Sequence, residues 1–312
     1  MVREINILFL GGAKRVSLAE RFIATGIRMN ISINIFSYEL IDDVPIVFVG
    51  QIIKGLKWND PYLYEHLNEV ITLNCINIVI PFLDHATIVC AKLKERISPN
   101  VFIPVSDFEL CEIFFDKKFA NDWCEAENIA VPSNNYEFPM IAKPITGSAS
   151  KGIIVLENEH DLNTLCDREN YLIQKFIKGK EYSVDAYISM QNSQIISIVP
   201  RQRLETQGGE SIKSITVKCA KLISFSEIII AKSKLKGPIT LQLLEEDNSG
   251  NLFFMEINPR YGGAVLNSIE AGADSTVYLI KDYLGEKNDR FDNWIDKLMM
   301  IRRFSENYKI CN

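Results

Sequence analysis

The sequence predicts two architectures in succession, an α/β domain with a parallel sheet and then an α+β region with antiparallel sheets. In the first hundred residues, apolar runs alternate with segments of helical periodicity, which is the order that gives a doubly wound parallel sheet. From residue 140 to residue 199 the predicted strands are closer together and more polar. A chain of 312 residues is also long enough for two or three subdomains.

Local signals place the N-terminal elements. Short apolar runs predict strands at residues 5–10, 31–36, 76–80 and 101–103. Helical periodicity predicts a helix at residues 16–25, which Gly26 should end, and another at residues 85–97. Asp60 followed by Pro61 predicts the start of a helix that runs to about residue 73, because proline is tolerated at the first helical position.

The second half of the chain has its own set of signals. Asp116 is the predicted N-cap of a helix that runs to about residue 128, and Pro132 and Pro139 mark a connector. A helix is expected near residues 161–167, and further strands at residues 214–217, 240–244 and 252–257. Residues 246–251 join the last two strands as a hairpin turn.

Charge and cysteine content exclude several classes of protein. Lys and Arg total 34 against 40 Asp and Glu, and a net charge of −6 disfavours general nucleic-acid binding. No apolar run approaches the roughly 20 residues that span a bilayer. Seven single cysteines without a C-x-x-C pair, and three histidines without ligand spacing, argue against zinc. Scattered thiols without a secretion signal predict a cytoplasmic protein.

A first glycine-rich turn, residues 11–15 (GGAKR), lies between a strand and a helix. Such a position can hold a phosphate at a helix N-terminus, and Glu39 follows the second strand where a ribose-binding acid would lie. The turn matches neither G-x-G-x-x-G nor the P-loop pattern. A tight strand-to-helix turn is therefore the favoured interpretation, with a dinucleotide site, and so a Rossmann-type oxidoreductase, as the alternative.

Two later segments can contact a nucleotide. Residues 143–152 (KPITGSASKG) carry two glycines, three hydroxyls and two lysines between apolar strands, a set that can hold phosphate oxygens. Residues 174–185 (QKFIKGKEYSVD) offer extended backbone to an adenine edge and an acid to ribose hydroxyls. The alternatives are a flexible polar β-turn for the first segment and a basic surface hairpin for the second.

A cluster of oxygen-bearing side chains is predicted at the hairpin near the C-terminal end. Strand alternation puts Glu256 and Asn258 on one face, and the turn at residues 246–251 folds Gln242 back beside them. Such ligands suit a hard divalent cation, above all Mg²⁺. Arg260 would then project a guanidinium toward whatever the metal holds. A proline turn with a charged pair at the surface is the alternative.

Taken in order, these segments resemble the ATP-grasp superfamily, of the kind found in carbamoyl-phosphate synthase large subunits, biotin carboxylase and short stand-alone amino-acid ligases. The resemblance depends on E-x-N-P-R at residues 256–260 with Gln242 fourteen positions before the Glu, on the K-P loop from Lys143, and on the Asp116-Lys117 pair. It implies a preATP-grasp α/β domain at residues 1–106 and an ATP-grasp domain at residues 107–312. A small ATP-covering lobe would occupy residues 131–178.

The resemblance also implies site residues. Lys117 and Lys143 resemble the cations on the ATP phosphates, and Ser148, Ser150 and Lys151 belong to the loop that covers them. The residues implied for the adenine base are Gln174, Lys175 and Ile177. The residue implied for the ribose is Glu181, and those implied for the metal are Gln242, Glu256 and Asn258. Arg260 resembles the arginine near the transferred phosphoryl group. Some relatives have an acid at the position of Gln242, so one of two metal sites is expected to be weaker here.

The implied activity is ATP-dependent ligation of a carboxylate to an amine, or less often a thiol, with release of ADP and phosphate. ATP and one or two Mg²⁺ ions are the expected cofactors, with Mn²⁺ as an alternative metal. Small carboxylate and amine substrates are the expected partners, and a homodimer is a family expectation.

Arg201 or Arg203, in a polar segment, could bind a substrate carboxylate, or the segment is a surface loop. Residues 11–15 are a candidate site for the second substrate. A nucleotide-binding scaffold without turnover is the alternative function.

Overall fold

A parallel sheet forms the N-terminal part of the chain, as the sequence predicts. The structure is a computed structural model that describes residues 3–96, 100–135, 137–147, 151–303 and 305–308. The strands of this sheet are β1 (Arg3–Leu10), β2 (Ile31–Glu39), β3 (Gln51–Lys54) and β4 (Ile78–Pro81), in the order β3–β2–β1–β4. The strand predicted at residues 101–103 is reduced to one parallel bridge between Ile78 and Phe102. No pattern of residue types predicted β3, which is short and has no fully buried residue.

The helices around this sheet follow the predicted order with shifted ends. They are α1 (Val16–Arg28), α2 (Leu63–Leu73) and α3 (Asp84–Lys94), with a 3₁₀ turn at Pro45–Phe48. Ile97, the predicted end of α3, lies outside the described residues. The expectation that Gly26 ends α1 is wrong. A Cβ on Gly26 would lie 2.7 Å from the Ile31 carbonyl oxygen, so the glycine allows close packing of α1 against β2.

A small antiparallel sheet follows two helices in the middle of the chain. The helices are α4 (Phe108–Phe115) and α5 (Lys117–Ala126). The predicted cap is confirmed, because the Asp116 carboxylate accepts hydrogen bonds from the backbone N–H groups of Lys118 and Phe119. The sheet has the order β6–β5–β7, with β5 (Met140–Pro144), β6 (Ile154–Leu156), helix α6 (Glu159–Thr164) and β7 (Tyr171–Lys175).

A larger antiparallel sheet occupies most of the remaining chain. Its strands are β8 (Gly179–Ile188), β9 (Ile195–Gln207), β10 (Glu210–Thr216), β11 (Gly237–Glu246), β12 (Leu252–Asn258) and β13 (Met299–Ile301), in the order β12–β11–β8–β9–β10–β13. Helices α7 (Ala220–Ser233), α8 (Leu266–Glu270) and α9 (Ser275–Leu284) connect them. The predicted hairpin is confirmed, with Gln242 opposite Glu256.

One hydrophobic core joins the N-terminal sheet to the C-terminal part of the chain. Buried residues of β1, α1 and β4 pack with Tyr187, Tyr261 and residues of α8 and α9. Asp274, the N-cap of α9, adds ion pairs to Arg21 and Arg28 on α1, at 3.0 and 2.6 Å. One hydrophobic core thus contains residues from both sides of residue 106. The domain boundary predicted at that residue stays a prediction.

We expect Gly26→Ala to destabilise the protein, although alanine is normally preferred in helices. The added Cβ would press on the Ile31 backbone, and overpacking costs about 1–3 kcal/mol, against about 1 kcal/mol gained in helix propensity. Urea denaturation should show a loss of about 1–2 kcal/mol. Ser17→Ala, at an exposed position of the same helix, should stay within about 0.5 kcal/mol of wild type. A Gly26→Ala variant as stable as Ser17→Ala would contradict this packing.

Candidate active site

A cleft of about 320 Å³ lies between the small sheet and the large sheet. This volume is within the range of small-molecule sites. The cleft walls are formed by β5 and the loop that follows it, the segment after β7, and the facing strands β8, β11 and β12. The sequence-predicted residues that line the cleft are Lys117, Lys143, Lys151, Lys175, Ile177, Glu181, Arg203, Gln242 and Glu256. Ser148 and Ser150 lie outside the described residues.

Lys143 is the buried cation of the cleft. It is only 7% exposed, and its Nζ donates to Gln174 Oε1 at 3.2 Å. The pKa of Lys143 is lowered to about 8, mainly by burial and also by the nearby Lys117, against the opposing effects of Glu256 and Glu181. An ammonium held in this way is costly without an anion, so the site favours a negatively charged ligand.

Gln174 lies behind Lys143 rather than in the cleft wall. Its side chain is buried, and its Nε2 donates to Asn121 Oδ1 at 2.8 Å and to the Pro132 carbonyl oxygen at 3.2 Å. Together with the bond from Lys143, these contacts occupy both ends of the amide. The structure does not bring this side chain to the cleft, where the sequence placed it against adenine. Asn121, on α5, had no sequence signal because its partners are distant in the chain.

The segment after β7 and the strands β11 and β12 contribute apolar side chains to the cleft wall. Phe176, Ile177 and Leu244 line it together with Met255. Met255 was not expected to face the cleft. A β-bulge explains it, because Gln242 pairs with Glu256 whereas Leu243 pairs with Phe254, which leaves Met255 as an extra residue. Such apolar surfaces suit the faces of a flat base.

Side chains from β9, β11 and β12 form a continuous hydrogen-bonded row at the other end of the cleft. Arg203 Nη1 donates to Gln242 Oε1 at 2.9 Å, and Gln242 Nε2 donates to Glu256 Oε1 at 3.4 Å. Asn258 Nδ2 donates to the same Glu256 oxygen, and its Oδ1 accepts from Arg260 Nη2 at 2.9 Å. Three residues that the sequence assigned to a metal are thus brought together, with an arginine at each end.

The two arginines of this row have different further partners. Arg260 Nε donates to Asp84 Oδ1 at 2.7 Å, which ties the end of β12 to the start of α3. Arg203 Nη2 donates to the Gly209 carbonyl oxygen at 2.8 Å, and its Nε lies 3.4 Å from Glu181 Oε2. The carboxylate of Glu181 is mostly exposed, so it stays accessible to a ligand.

Arg201 does not reach the cleft, where the sequence placed it as a substrate-binding residue. It is 1% exposed, and its Nε and Nη2 donate to the Asp185 carboxylate at 2.7 and 3.2 Å. Thr240 and Ser268 donate to the same carboxylate. Arg201 and Arg203 have the same parity along β9, so position along the strand separates them: Arg201 pairs with Ser183, two residues from Asp185 on β8, whereas Arg203 lies two residues further along β9.

The turn at residues 11–15 contacts the side chain of Glu39, the last residue of β2. Glu39 accepts hydrogen bonds from the Ser37 hydroxyl at 2.7 Å and from the backbone N–H groups of Gly12 and Ala13. Burial raises the pKa of Glu39, and these hydrogen bonds oppose the rise. Since Glu39 occupies these amides, the geometry agrees with the tight strand-to-helix turn rather than with a dinucleotide site.

Comparison with solved structures and family models identifies the fold. N5-carboxyaminoimidazole synthetase from Staphylococcus aureus, complexed with ADP, superimposes with a TM-score of 0.74 over 93% of this chain and 80% of that one, at 18% identity. Residues 167–302 match a family model described as ATP-grasp in the biosynthetic pathway with Ter operon. The chain has the ATP-grasp fold. The resemblance found in the sequence is thereby confirmed.

Other ATP-grasp proteins are also similar. The biotin carboxylase domain of 2-oxoglutarate carboxylase from Hydrogenobacter thermophilus, in complex with MgADP, gives a TM-score of 0.73 at 14% identity, over 93% of this chain and 72% of that one. A D-alanine–D-alanine ligase from Rickettsia canadensis is 26% identical over 185 residues, which are 50% of this chain and 51% of the relative. The chain thus spans about half the length of this curated relative.

A shorter match is to the carbamoyl phosphate synthase large chain of Agathobacter rectalis. It is 26% identical over 151 residues, which cover 43% of this chain and 14% of the relative.

Among the residues that the structure describes, none of the helices is both long and apolar enough to span a bilayer.

The donor chemistry at the end of this ATP-grasp cleft fits a hard divalent cation. Glu256 supplies a carboxylate, and the amides of Gln242 and Asn258 flank it within hydrogen-bonding distance. Over the described ranges, no group of three or more His, Cys, Asp or Glu side chains is placed to hold a metal. A cation bound mainly by one carboxylate and two amides, with other oxygens from phosphate, matches the preference of Mg²⁺.

We expect the affinity for Mg-ATP to fall as the pH rises through about 8. Above that pH Lys143 loses its proton and the charge that would face the phosphates, so binding should weaken by up to about tenfold per pH unit. Titration calorimetry between pH 7 and pH 9 measures this slope. Lys143→Gln should bind weakly with a flat pH profile, whereas Lys143→Arg should keep its charge and lose the decline. An unchanged wild-type slope in Lys143→Gln would contradict the assignment.

We expect Asp185→Asn to lower the free energy of unfolding by about 3 kcal/mol, because it leaves the guanidinium of Arg201 buried without its charge partner. Urea denaturation at pH 7 measures the change. Asp289→Asn is the matched control, since its ion pair with Lys287 is exposed on both sides and its loss should leave the free energy of unfolding close to that of wild type. Equal losses in the two variants would contradict a structural role for the buried pair.

Proposed function

We propose that the protein is an ATP-dependent ligase that joins the carboxylate of a small amino-acid-like substrate to an amine, or to a thiol. The observation that carries this proposal is the convergence, in one cleft, of a buried lysine, an accessible acid, Gln242 and Glu256, with Asn258 hydrogen-bonded to Glu256. A cleft with such a cationic wall and a metal-type donor set at one end suits a nucleoside triphosphate better than a neutral ligand.

The cleft provides separate contacts for the parts of ATP. Lys143, Lys117 and Lys151 would neutralise the phosphates, and Lys117 Nζ already donates to the Gly147 carbonyl oxygen at 2.8 Å. Glu181 would accept from the ribose hydroxyls. The base would lie against Met255 and the backbone of the segment after β7.

The proposed reaction proceeds through an acylphosphate. A carboxylate oxygen of the substrate attacks the γ-phosphorus in line, the bond from γ-phosphorus to the β–γ bridging oxygen breaks, and ADP leaves. The acylphosphate is then attacked at its carbonyl carbon by the amine, which loses a proton as phosphate departs. The protein contributes positioning and charge stabilisation, and Arg260 is placed beside the row to stabilise the transferred group.

Glu256 and Asn258, with Gln242, would hold one or two Mg²⁺ ions, which supply Lewis-acid neutralisation of the phosphate oxygens. In the structure the Gln242 and Asn258 amide oxygens accept from arginines. Rotation of these amides would free their oxygens. Because Gln242 is neutral, a second ion bound through it would be held more weakly than one bound through Glu256.

Relatives of known activity support this class of reaction. The similar proteins include a D-alanine–D-alanine ligase and an L-amino acid ligase from Bacillus licheniformis, whose structure gives a TM-score of 0.68 at 14% identity. We therefore expect small acids and amines as substrates and the cytoplasm as the location. Formation of a homodimer is a further expectation, which sedimentation can test.

We expect the purified protein to release ADP and phosphate from Mg-ATP only when a suitable acid and amine are both present. A panel of amino acids, with coupled detection of ADP and mass determination of the product, tests this. Release of AMP and pyrophosphate would overturn the acylphosphate mechanism. Tight ATP binding without turnover across the panel would favour the scaffold alternative.

We expect Glu256→Gln to reduce turnover by at least about 10²-fold while the fold is retained, because the single carboxylate of the donor row is lost. Steady-state ADP release and circular dichroism measure the two effects. Glu69→Gln, at an exposed position on α2, is the matched control and should keep wild-type turnover. Wild-type turnover in Glu256→Gln would refute the metal assignment.

A further inference from the structure

A second cationic cluster lies outside the cleft, between the N-terminal sheet and the large sheet. It contains Arg15 from the turn after β1, Arg260 from the end of β12, and Arg302, which follows β13. None of the three is among the residues that line the cleft. Two acids accompany them, Asp84 and Glu210.

Contacts between distant parts of the chain hold this cluster together. The Arg15 guanidinium lies 5.5 Å from the centre of the Phe82 ring, and that ring stacks on Tyr261, next to Arg260, at 6.3 Å. Arg302 Nη1 donates to Glu210 Oε2 at 2.6 Å, and its Nη2 donates to the Gly263 carbonyl oxygen. The positions of these side chains are therefore fixed by the fold.

The charges of the cluster do not balance. Arg260 is paired with Asp84, and Arg302 is paired with Glu210. Within the described part of the chain, Arg15 donates no side-chain hydrogen bond and forms no ion pair within 4 Å. It is half-buried, and its pKa is lowered to about 10, mainly by desolvation and also by Arg260 and Arg302, against the opposing effect of Glu210. Arg15 is thus a charged, desolvated group at neutral pH, which an anion would stabilise.

The cluster also touches the reacting end of the cleft. Arg260 donates to Asp84 on one side and to Asn258 Oδ1 on the other, and Asp84 lies two residues after Phe82, whose ring the Arg15 guanidinium approaches. A molecule that reacts beside the donor row could therefore extend to Arg15. The two acids limit the net positive charge, which favours a small anionic group over a polyanion such as ATP.

We propose that Arg15 binds an anionic group, a carboxylate or a phosphate, of the substrate that is not the nucleotide, with the Arg302–Glu210 pair forming the adjacent wall. This proposal rests on the proposed ligase function and specifies the substrate class: one of the two reactants carries an anionic group that binds at the N-terminal domain. Arg15 acts there as a binding residue, and the fork of its guanidinium suits two oxygens.

Calorimetric titration of the full chain with succinate and with inorganic phosphate tests the proposal, in the presence of Mg²⁺ and a non-hydrolysable ATP analogue that fills the cleft. We expect saturable binding of at least one anion, weakened at least tenfold in Arg15→Gln. Arg96→Gln is the matched control, since Arg96 also lies over an aromatic ring, that of Tyr64, at 4.3 Å. It should bind as wild type does, and neutral succinamide should not bind.

Glu210→Gln tests the proposal through a gain in anion affinity, which a misfolded variant would not show. Removal of this acid should strengthen anion binding several-fold, because Arg15 and Arg302 lose their opposing charge. Binding of phosphate without succinate would indicate a phosphorylated substrate, and the reverse a carboxylate. The proposal is overturned if neither anion binds, if Arg15→Gln and Arg96→Gln behave alike, or if Glu210→Gln weakens binding.

The same titrations separate this proposal from the proposed function. If the ATP analogue does not bind, the ligase assignment fails, and the anion titrations without nucleotide still decide on Arg15. If the analogue binds equally to wild type and to Arg15→Gln while anion binding is also equal, only the role of Arg15 is lost.

Discussion

The hydrogen-bonded row that begins at Arg203 and ends at Arg260 is the constraint on which the candidate site depends. It places the carboxylate of Glu256 between two amides, and each amide is in turn held by an arginine. Because Arg260 also binds Asp84, the row is anchored to the N-terminal region as well as to the large sheet. The metal-type donor set and the contact of Arg260 with the N-terminal region are thus parts of one hydrogen-bonded network.

The buried charged side chains near this network have two different roles. The pair of Arg201 and Asp185 is fully satisfied, so it stabilises the sheet and is unavailable to a ligand. Within the described residues, neither Lys143 nor Arg15 forms an ion pair or a hydrogen bond with an acid, and desolvation lowers the pKa of both. Desolvated cations of this kind are stabilised by binding an anion, which is the physical reason for assigning them to ligands.

Much of the fold could be predicted because its signals are local. Apolar runs and caps identified β1, β2 and the helix that Asp116 begins, and the pairing of Gln242 with Glu256 followed from the hairpin turn. The failures were non-local. Gly26 resembles a helix stop in sequence, but its role is set by the approach of β2. The orientation of Met255 depends on a bulge, which leaves no mark in the pattern of residue types.

The sequence by itself determined the order of the elements, the spacing of the donor row and the residue types of a nucleotide site, because these follow from periodicity and from motifs within one hairpin. Only the tertiary structure decided which cations face a ligand. Arg201 and Arg203 are two residues apart, yet one is bound to Asp185 in the core and the other borders the cleft. Desolvation and pairing are set by neighbours distant in the chain, so sequence cannot rank such residues.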